Sequence, residues 1–124
     1  LDFSRSNYND FYGGQYCNPV GLTTKPYTSP VGYFNGRPGT VDSKSPVGCY
    51  DMSGNVWEWC QDWKGDYSSD SQVDPQGAVS GGFFVLRGGG WSFIAGHCRT
   101  DYRGWEIPAH TGFNEGFRIA QSVQ

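Results

Sequence analysis

A chain of 124 residues has the length of one domain, and aromatic residues make up 17% of it, with 19 Gly and 7 Pro beside them. That mixture excludes a coiled coil or helical bundle, which would draw on Ala, Glu, Lys and Leu, and excludes disorder, because so many rings can bury a core. A net charge of -3, from twelve acids against nine bases and without a basic run, excludes an electrostatic nucleic-acid binder; no apolar stretch nears the roughly 18 residues of a membrane span.

Residues 1–48 read as a long connection with little regular structure. Asn18-Pro19, Lys25-Pro26, Ser29-Pro30, Asn35-Gly36, Arg37-Pro38 and Ser45-Pro46 break it every few residues. A stretch of that length inside a compact domain requires pinning, by a metal, a disulfide or a functional contact. The two Ser-Pro-Val-Gly strings, at 29–32 and 45–48, read as two similar turns. Residues 56–63 then alternate, with Trp57, Trp59 and Trp63 on one face, which predicts a half-buried strand. Residues 64–80 return to Gly, Ser, Asp and Pro and predict a surface loop. A short apolar run over 83–87 predicts a second strand, 97–103 at most two helical turns, and 117–120 a terminal strand. The fold class is α+β with very low helix content.

Four cysteines, Cys17, Cys49, Cys60 and Cys98, allow three disulfide pairings, and the sequence does not choose among them. No CxxC is present, which argues against a zinc ribbon. Arg87, Arg99, Arg103 and Arg118 lie beside aromatics and glycines and read as structural arginines, paired with carboxylates or stacked on rings.

The sharpest strings are Asp51-Met-Ser-Gly-Asn-Val-Trp-Glu-Trp-Cys60, Leu86-Arg-Gly-Gly-Gly-Trp91, Cys98-Arg99 with Arg103, and Gly116-Phe-Arg-Ile-Ala120. Their order and spacing resemble the formylglycine-generating enzyme family, also called sulfatase-modifying factor domains. The resemblance covers about residues 45–120. It implies a C-type-lectin-like fold of short, twisted, mostly antiparallel strands and long loops. Against the family pattern, the single domain over 1–124 is expected to lack the family's N-terminal part.

The resemblance also implies metals. In the family a structural calcium sits in the loop matching residues 51–58. Carried over, its ligands are the Asp51 and Glu58 side chains and the Gly54 and Val56 carbonyls, an arrangement of hard oxygens that suits calcium. A second family calcium site would use Asn7 and the Tyr8 carbonyl, but Thr23 stands where it needs an acid. The family's oxidases bind copper through two cysteines, two and seven residues after the tryptophan of the Gly-Gly-x-Trp string. Here those positions are Phe93 and Cys98, and a phenyl ring supplies no soft thiolate. Copper is therefore not expected, and Cys98 reads as a core thiol or half of a disulfide, with Cys60 as the candidate partner. It would be catalytic only in the oxidase alternative.

Between Trp91 and Gly116 the large residues follow neither helical nor strand periodicity. Ser92, Phe93, Ile94, His97 and Tyr102 lie in its first half; Trp105, Ile107, His110, Phe113 and Asn114 lie in its second. They either complete the core or form an exposed contact face. The pattern resembles the variable proteins of diversity-generating retroelements, in which this segment forms a ligand-binding face on a fixed scaffold. The resulting expectation is a non-catalytic module binding a protein or small-molecule ligand through residues 92–114. The alternatives are a copper-dependent oxidase acting on sulfatase cysteines, and an accessory piece that completes a larger domain. The even cysteine count and the calcium loop lean toward an extracellular or cell-surface location.

Overall fold

A computed structural model describes residues 2–10 and 14–121. Among the described residues, six short strands form two sheets. β1 (Asn9–Asp10) and β2 (Gln15–Tyr16) pair antiparallel. The main sheet holds β3 (Trp57–Trp63), β4 (Phe84–Arg87), β5 (Gly104–Glu106) and β6 (Glu115–Phe117) in the order β5-β4-β3-β6. β4 is antiparallel to both β3 and β5, and β6 is parallel to β3. Residues 95–98 form one 3-10 turn, the only helix among the described residues. The described residues are thus strands and loops with almost no helix, as the expected C-type-lectin-like fold requires.

β3 forms where alternation predicts it. Trp57 is buried, and Trp63 stacks on Phe84 with ring centroids 4.0 Å apart. The register shifts between Trp59 and Trp63, so the three indoles do not form one continuous row. Trp57 turns to Phe93 and Tyr102, while Trp59 and Trp63 both meet Phe84.

Three expectations are corrected. The helix over 97–103 is instead a 3-10 turn ending at Cys98. Ile94 supplies no side-chain cap, and its carbonyl accepts His97 N–H at 2.9 Å at the start of the turn. The terminal strand runs over Glu115–Phe117 rather than 117–120. Arg118, which would have continued it, is held by Glu58, and Phe117 and Ile119 stay exposed. β5, in a stretch without strand periodicity, forms because Gly104 pairs opposite Leu86 and lets the Trp57 indole pass. A Cβ there would lie 3.2 Å from Trp57 Cζ3.

The long N-terminal connection is irregular, as its turn residues imply, apart from the β1–β2 pair. All four cysteines are free thiols, so no disulfide pins it. Buried polar side chains do so instead. Asn55 donates its backbone N–H to the Asn7 carbonyl at 2.7 Å, and its own carbonyl accepts Trp91 N–H at 2.8 Å. Its side-chain oxygen accepts Ser29 N–H at 2.8 Å, and its amide donates to the Ser29 carbonyl at 3.1 Å. Asn7 Nδ2 donates to the Tyr27 carbonyl at 2.6 Å, and Ser6 Oγ donates to the Ser53 carbonyl. Above this network Trp91, 1% exposed, meets Tyr16 and Tyr27 at 5.6 and 5.3 Å.

Asn55 also sits at φ +67, a left-handed conformation that costs ordinary residues about 1–2 kcal/mol. Asn55→Ala removes the side-chain bonds and adds that backbone cost, so it is expected to destabilise the chain by roughly 3 kcal/mol or more. Asn55→Gly is expected to fall about 1 kcal/mol short of that loss, because glycine accepts the conformation. Urea denaturation of the three proteins measures both; equal losses in the two variants would show that backbone conformation contributes nothing here.

Candidate functional site

The sheet and the 92–114 segment border an open cavity of about 270 Å³. Its floor is built by the sheet. β3 supplies Trp57, β4 supplies Leu86, and β5 supplies Gly104, Trp105 and Glu106. β6 sets Glu115 in register with Trp57, and Trp57 N–H donates to the Asn114 carbonyl at 2.8 Å. The wall is built by the segment after Trp91. A tight turn, Phe93 N–H to the Gly90 carbonyl at 2.9 Å, places Phe93, whose own carbonyl accepts Asn9 N–H at 2.9 Å. The 3-10 turn then places His97, and Arg87 straps the chain behind Tyr102 by donating to the Thr100 and Tyr102 carbonyls at 3.2 and 2.8 Å.

The rings form a connected set. Trp57 meets Phe93 edge-on at 5.2 Å and Tyr102 at 6.0 Å. His97 lies 4.5 Å from Tyr102 and 5.5 Å from Phe93. Trp105 is half exposed at the rim, with Lys64 Nζ 4.6 Å over its ring. Two polar atoms in this wall are buried without a hydrogen-bond partner among the described residues: His97 Nδ1 and Glu115 Oε2. The other Glu115 oxygen faces His110 Nε2 at 3.2 Å. An orphaned polar group of this kind costs about 1–3 kcal/mol, and more when charged.

Five of the ten residues expected on a binding face therefore converge on one cavity: Phe93, His97, Tyr102, Trp105 and Asn114. The other five lie outside its lining. Ser92 and Ile94 are half-buried beside it, and Ile107 is exposed on the connection after β5. His110 reaches the cavity only through Glu115, and Phe113 is exposed, 5.9 Å from the Trp91 ring. Sequence reading missed Trp57, Leu86 and Glu115, and did not single out Gly104 and Glu106 within the 92–114 face. Trp57 sat in a strand motif that reads as pure core. The available signal was the pair of carboxylates, Glu106 and Glu115, among otherwise apolar and glycine-rich residues.

The metal expectations meet this geometry as follows. Both Glu58 oxygens are taken by Arg118, Nε–H donating to Oε2 at 2.9 Å and Nη2 to Oε1; Nη2 also reaches the Asp51 carbonyl at 3.3 Å. The Asp51 carboxylate accepts Gly32 N–H at 2.7 Å. Among the described residues no three His, Cys, Asp or Glu side chains converge as metal ligands. As placed, Asp51 and Glu58 do not fit an open calcium cage with Gly54 and Val56, because a guanidinium already neutralises Glu58. Copper does not fit either: Phe93 occupies the first thiolate position and packs against Trp57, leaving Cys98 without that partner. Cys98 itself is 3% exposed, and burial pushes its thiol up to about 11 against a weaker opposing pull from the Gly90 and Gly54 amides. A thiol held protonated is a poor nucleophile at neutral pH. The remaining arginines are structural: Arg99 pairs with Asp101 at 2.7 Å, and Arg103 lies 4.0 Å over the Tyr67 ring while donating to the Gly65 carbonyl.

Comparison with known proteins places this architecture. Residues 1–123 match the sulfatase-modifying factor enzyme 1-like domain. The chain belongs to that family. It is 38% identical over 101 residues to the serine/threonine-protein kinase pkn1 of Chlamydia pneumoniae, covering 77% of this chain and 16% of the kinase. It is 38% identical over 81 residues to the formylglycine-generating enzyme of Streptomyces coelicolor, covering 61% of this chain and 26% of the enzyme. The sulfatase-modifying-factor domain described here therefore spans only about a sixth to a quarter of these relatives. Among solved structures, Treponema denticola variable protein 1 superimposes with a TM-score of 0.64 at 28% identity, over 92% of this chain and 34% of that protein.

Burial of the thiols makes stability depend on alkaline pH. Cys98 and Cys17 both titrate at about 11 in the folded chain, against 9.0 ordinarily, because burial disfavours the thiolate. Their stabilising contribution is intact below about pH 9 and is lost as pH rises through about 11. Urea midpoints measured from pH 8 to 11 are expected to fall over that window, and less steeply in Cys98→Ala. An identical slope in that variant would place the alkaline sensitivity elsewhere.

Proposed function

We propose that this domain is a recognition module, binding a ligand without chemistry through the cavity between the sheet and residues 92–114. The observation that carries the reading is convergence: rings from separate elements, Trp57 of β3 and Phe93 with Tyr102 from the segment after Trp91, meet at one opening. Rigid aromatics on a strapped backbone give large contact area at low entropic cost. The structural likeness to a variable protein over nearly the whole chain supports the reading. An oxidase reading lacks its paired thiolates. For the 51–58 loop, we infer that the Arg118 guanidinium serves as the counter-charge to Glu58 that the family resemblance assigns to calcium.

The recognition reading is tested with a set of small neutral, cationic and anionic fragments added to the 15N-labelled chain. Binders of any charge are expected to shift the indole N–H signals of Trp57 and Trp105, and Phe93→Ala or Trp105→Ala to weaken them at least tenfold. Trp105→Ala is expected to leave stability within about 1 kcal/mol, as its ring is half exposed. Shifts scattered over other surfaces, or none, would sink the reading. In the calcium arm, millimolar Ca²⁺ is expected to leave the thermal midpoint within about 1 °C of its value in chelator. A larger rise would mean that Arg118 yields its place to the ion.

A further inference from the structure

The opposite face of the sheet carries a second pocket, of about 390 Å³. Successive residues of β4 divide the two: Leu86 borders the aromatic cavity, while Val85 and Arg87 border the second pocket together with Cys60 of β3. Four charged groups surround it: the Arg87 and Arg103 guanidiniums and the Asp62 and Asp66 carboxylates. None of the four belongs to an ion pair among the described residues. Opposite charges around one pocket would ordinarily close onto each other, but here the cations are held in place by uncharged groups. Arg87 Nη1 donates to the Thr100 and Tyr102 carbonyls, and its Nη2 donates to the Tyr67 hydroxyl at 3.0 Å. Arg103 lies 4.0 Å over the same Tyr67 ring, and its Nη2 donates to the Gly65 carbonyl at 2.7 Å. Most of the Arg103 donors, and the Arg87 Nε–H, meet no acceptor among the described residues. Asp62 lies against the loop at Gly77, where a Cβ would come within 2.9 Å of its own. The Cys60 thiol feels both signs: burial pushes it up first, Asp62 adds to that, and Arg87 pulls the other way.

We propose that this pocket binds a small zwitterion with a free carboxylate and a free ammonium, the chemistry of an α-amino acid or a short peptide with both ends free. The carboxylate takes the open donors of Arg103 and Arg87, whose planar forks match it. The ammonium takes Asp62 and Asp66. Val85, buried under the pocket, and Ala78 in the loop give the rest of the molecule an apolar surface. The charges around the pocket cancel, so a simple anion meets the two acids and a simple cation meets the two arginines. A molecule carrying both signs satisfies both sets at once. Tyr67 is the positioning residue, since its hydroxyl holds one guanidinium and its ring carries the other. The site lies on the far side of the sheet from the aromatic cavity and does not depend on what that cavity binds.

The test follows the backbone amide signals of Gly65, Tyr67 and Gly77, which border the pocket, in the intact 15N-labelled chain, with the Trp57 indole as the control on the other face. The probes are alanine, its cationic amide alaninamide, its anionic form N-acetylalanine, and dialanine, in slightly acidic buffer. Alanine or dialanine is expected to bind at least tenfold tighter than either singly charged probe and to leave the Trp57 indole signal in place. A preference for alanine assigns a free amino acid, and a preference for dialanine assigns a peptide. Arg103→Gln is expected to remove at least tenfold of that affinity, and Asp62→Asn a comparable share. Asp62 is exposed, so its variant keeps the test sound if Arg103→Gln fails to fold. Tyr67→Phe keeps the ring under Arg103 and frees Arg87, and is expected to lose about threefold, less than either charge variant. N-acetylalanine or alaninamide binding as tightly as the zwitterions, a folded Asp62→Asn with unchanged affinity, or no shift of the three amides with any probe would each overturn the proposal. None of those results bears on the aromatic cavity, whose own indole signals report on it separately.

Discussion

The described structure turns on one buried amide. Asn55 bonds through its backbone to Asn7 and Trp91 and through its side chain to Ser29, so four points of the chain meet at a residue 8% exposed. Without disulfides among the described cysteines and with little regular structure before β3, the N-terminal half has few other ways to hold a unique path. A polar hub of this kind is costly when incomplete and specifying when complete. Gly54 beside it shows how tight the junction is, for a side chain there would run into Ser6 and the Asn7 carbonyl. The aromatic layer of Tyr16, Tyr27 and Trp91 adds apolar area over the hub, and the cavity is built on what the hub holds still.

Much of this was legible in the sequence because it follows local rules. The alternation at 56–63 has one cause, a strand with a buried face, and the strand forms there. The ordered strings around Asp51, Leu86 and Gly116 point to the fold because they mark where the backbone must turn, where β3 begins and where β4 and β6 end. What was not legible depends on pairing between distant residues. β5 has no strand pattern of its own and exists because Gly104 can lie against Leu86 and Trp57. The end of β6 is set by Arg118 leaving the sheet for Glu58, sixty residues away in the chain. The hub residue Asn55 lies inside the recognised motif, yet nothing in the motif shows that Ser29 completes it.

The same division explains the candidate site. Large residues in a glycine-rich segment announce a contact surface, and half of them reach the cavity. The acids that border it come from the ends of β5 and β6, where periodicity predicts nothing. Placing Glu115 beside Trp57 is a consequence of parallel register. Scaffold and chemistry are thus coupled at Trp57, which serves the core and the cavity with one side chain.

The connection between β5 and β6 has a thermodynamic consequence. These strands lie at opposite edges of the sheet and point the same way, so residues 107–114 must return across it, and 107–113 are all exposed. Eight extended residues reach roughly 27 Å, yet this connection folds back on itself in a turn, His110 N–H donating to the Ile107 carbonyl at 3.0 Å. The connection therefore has slack, and both its ends border the cavity. Doubling the length of such a link adds only about 0.6 kcal/mol of closure entropy. Insertions here would reshape the mouth of the cavity at little cost in folding free energy, which makes this link the place where ligand preference can diverge while the sheet beneath it stays fixed.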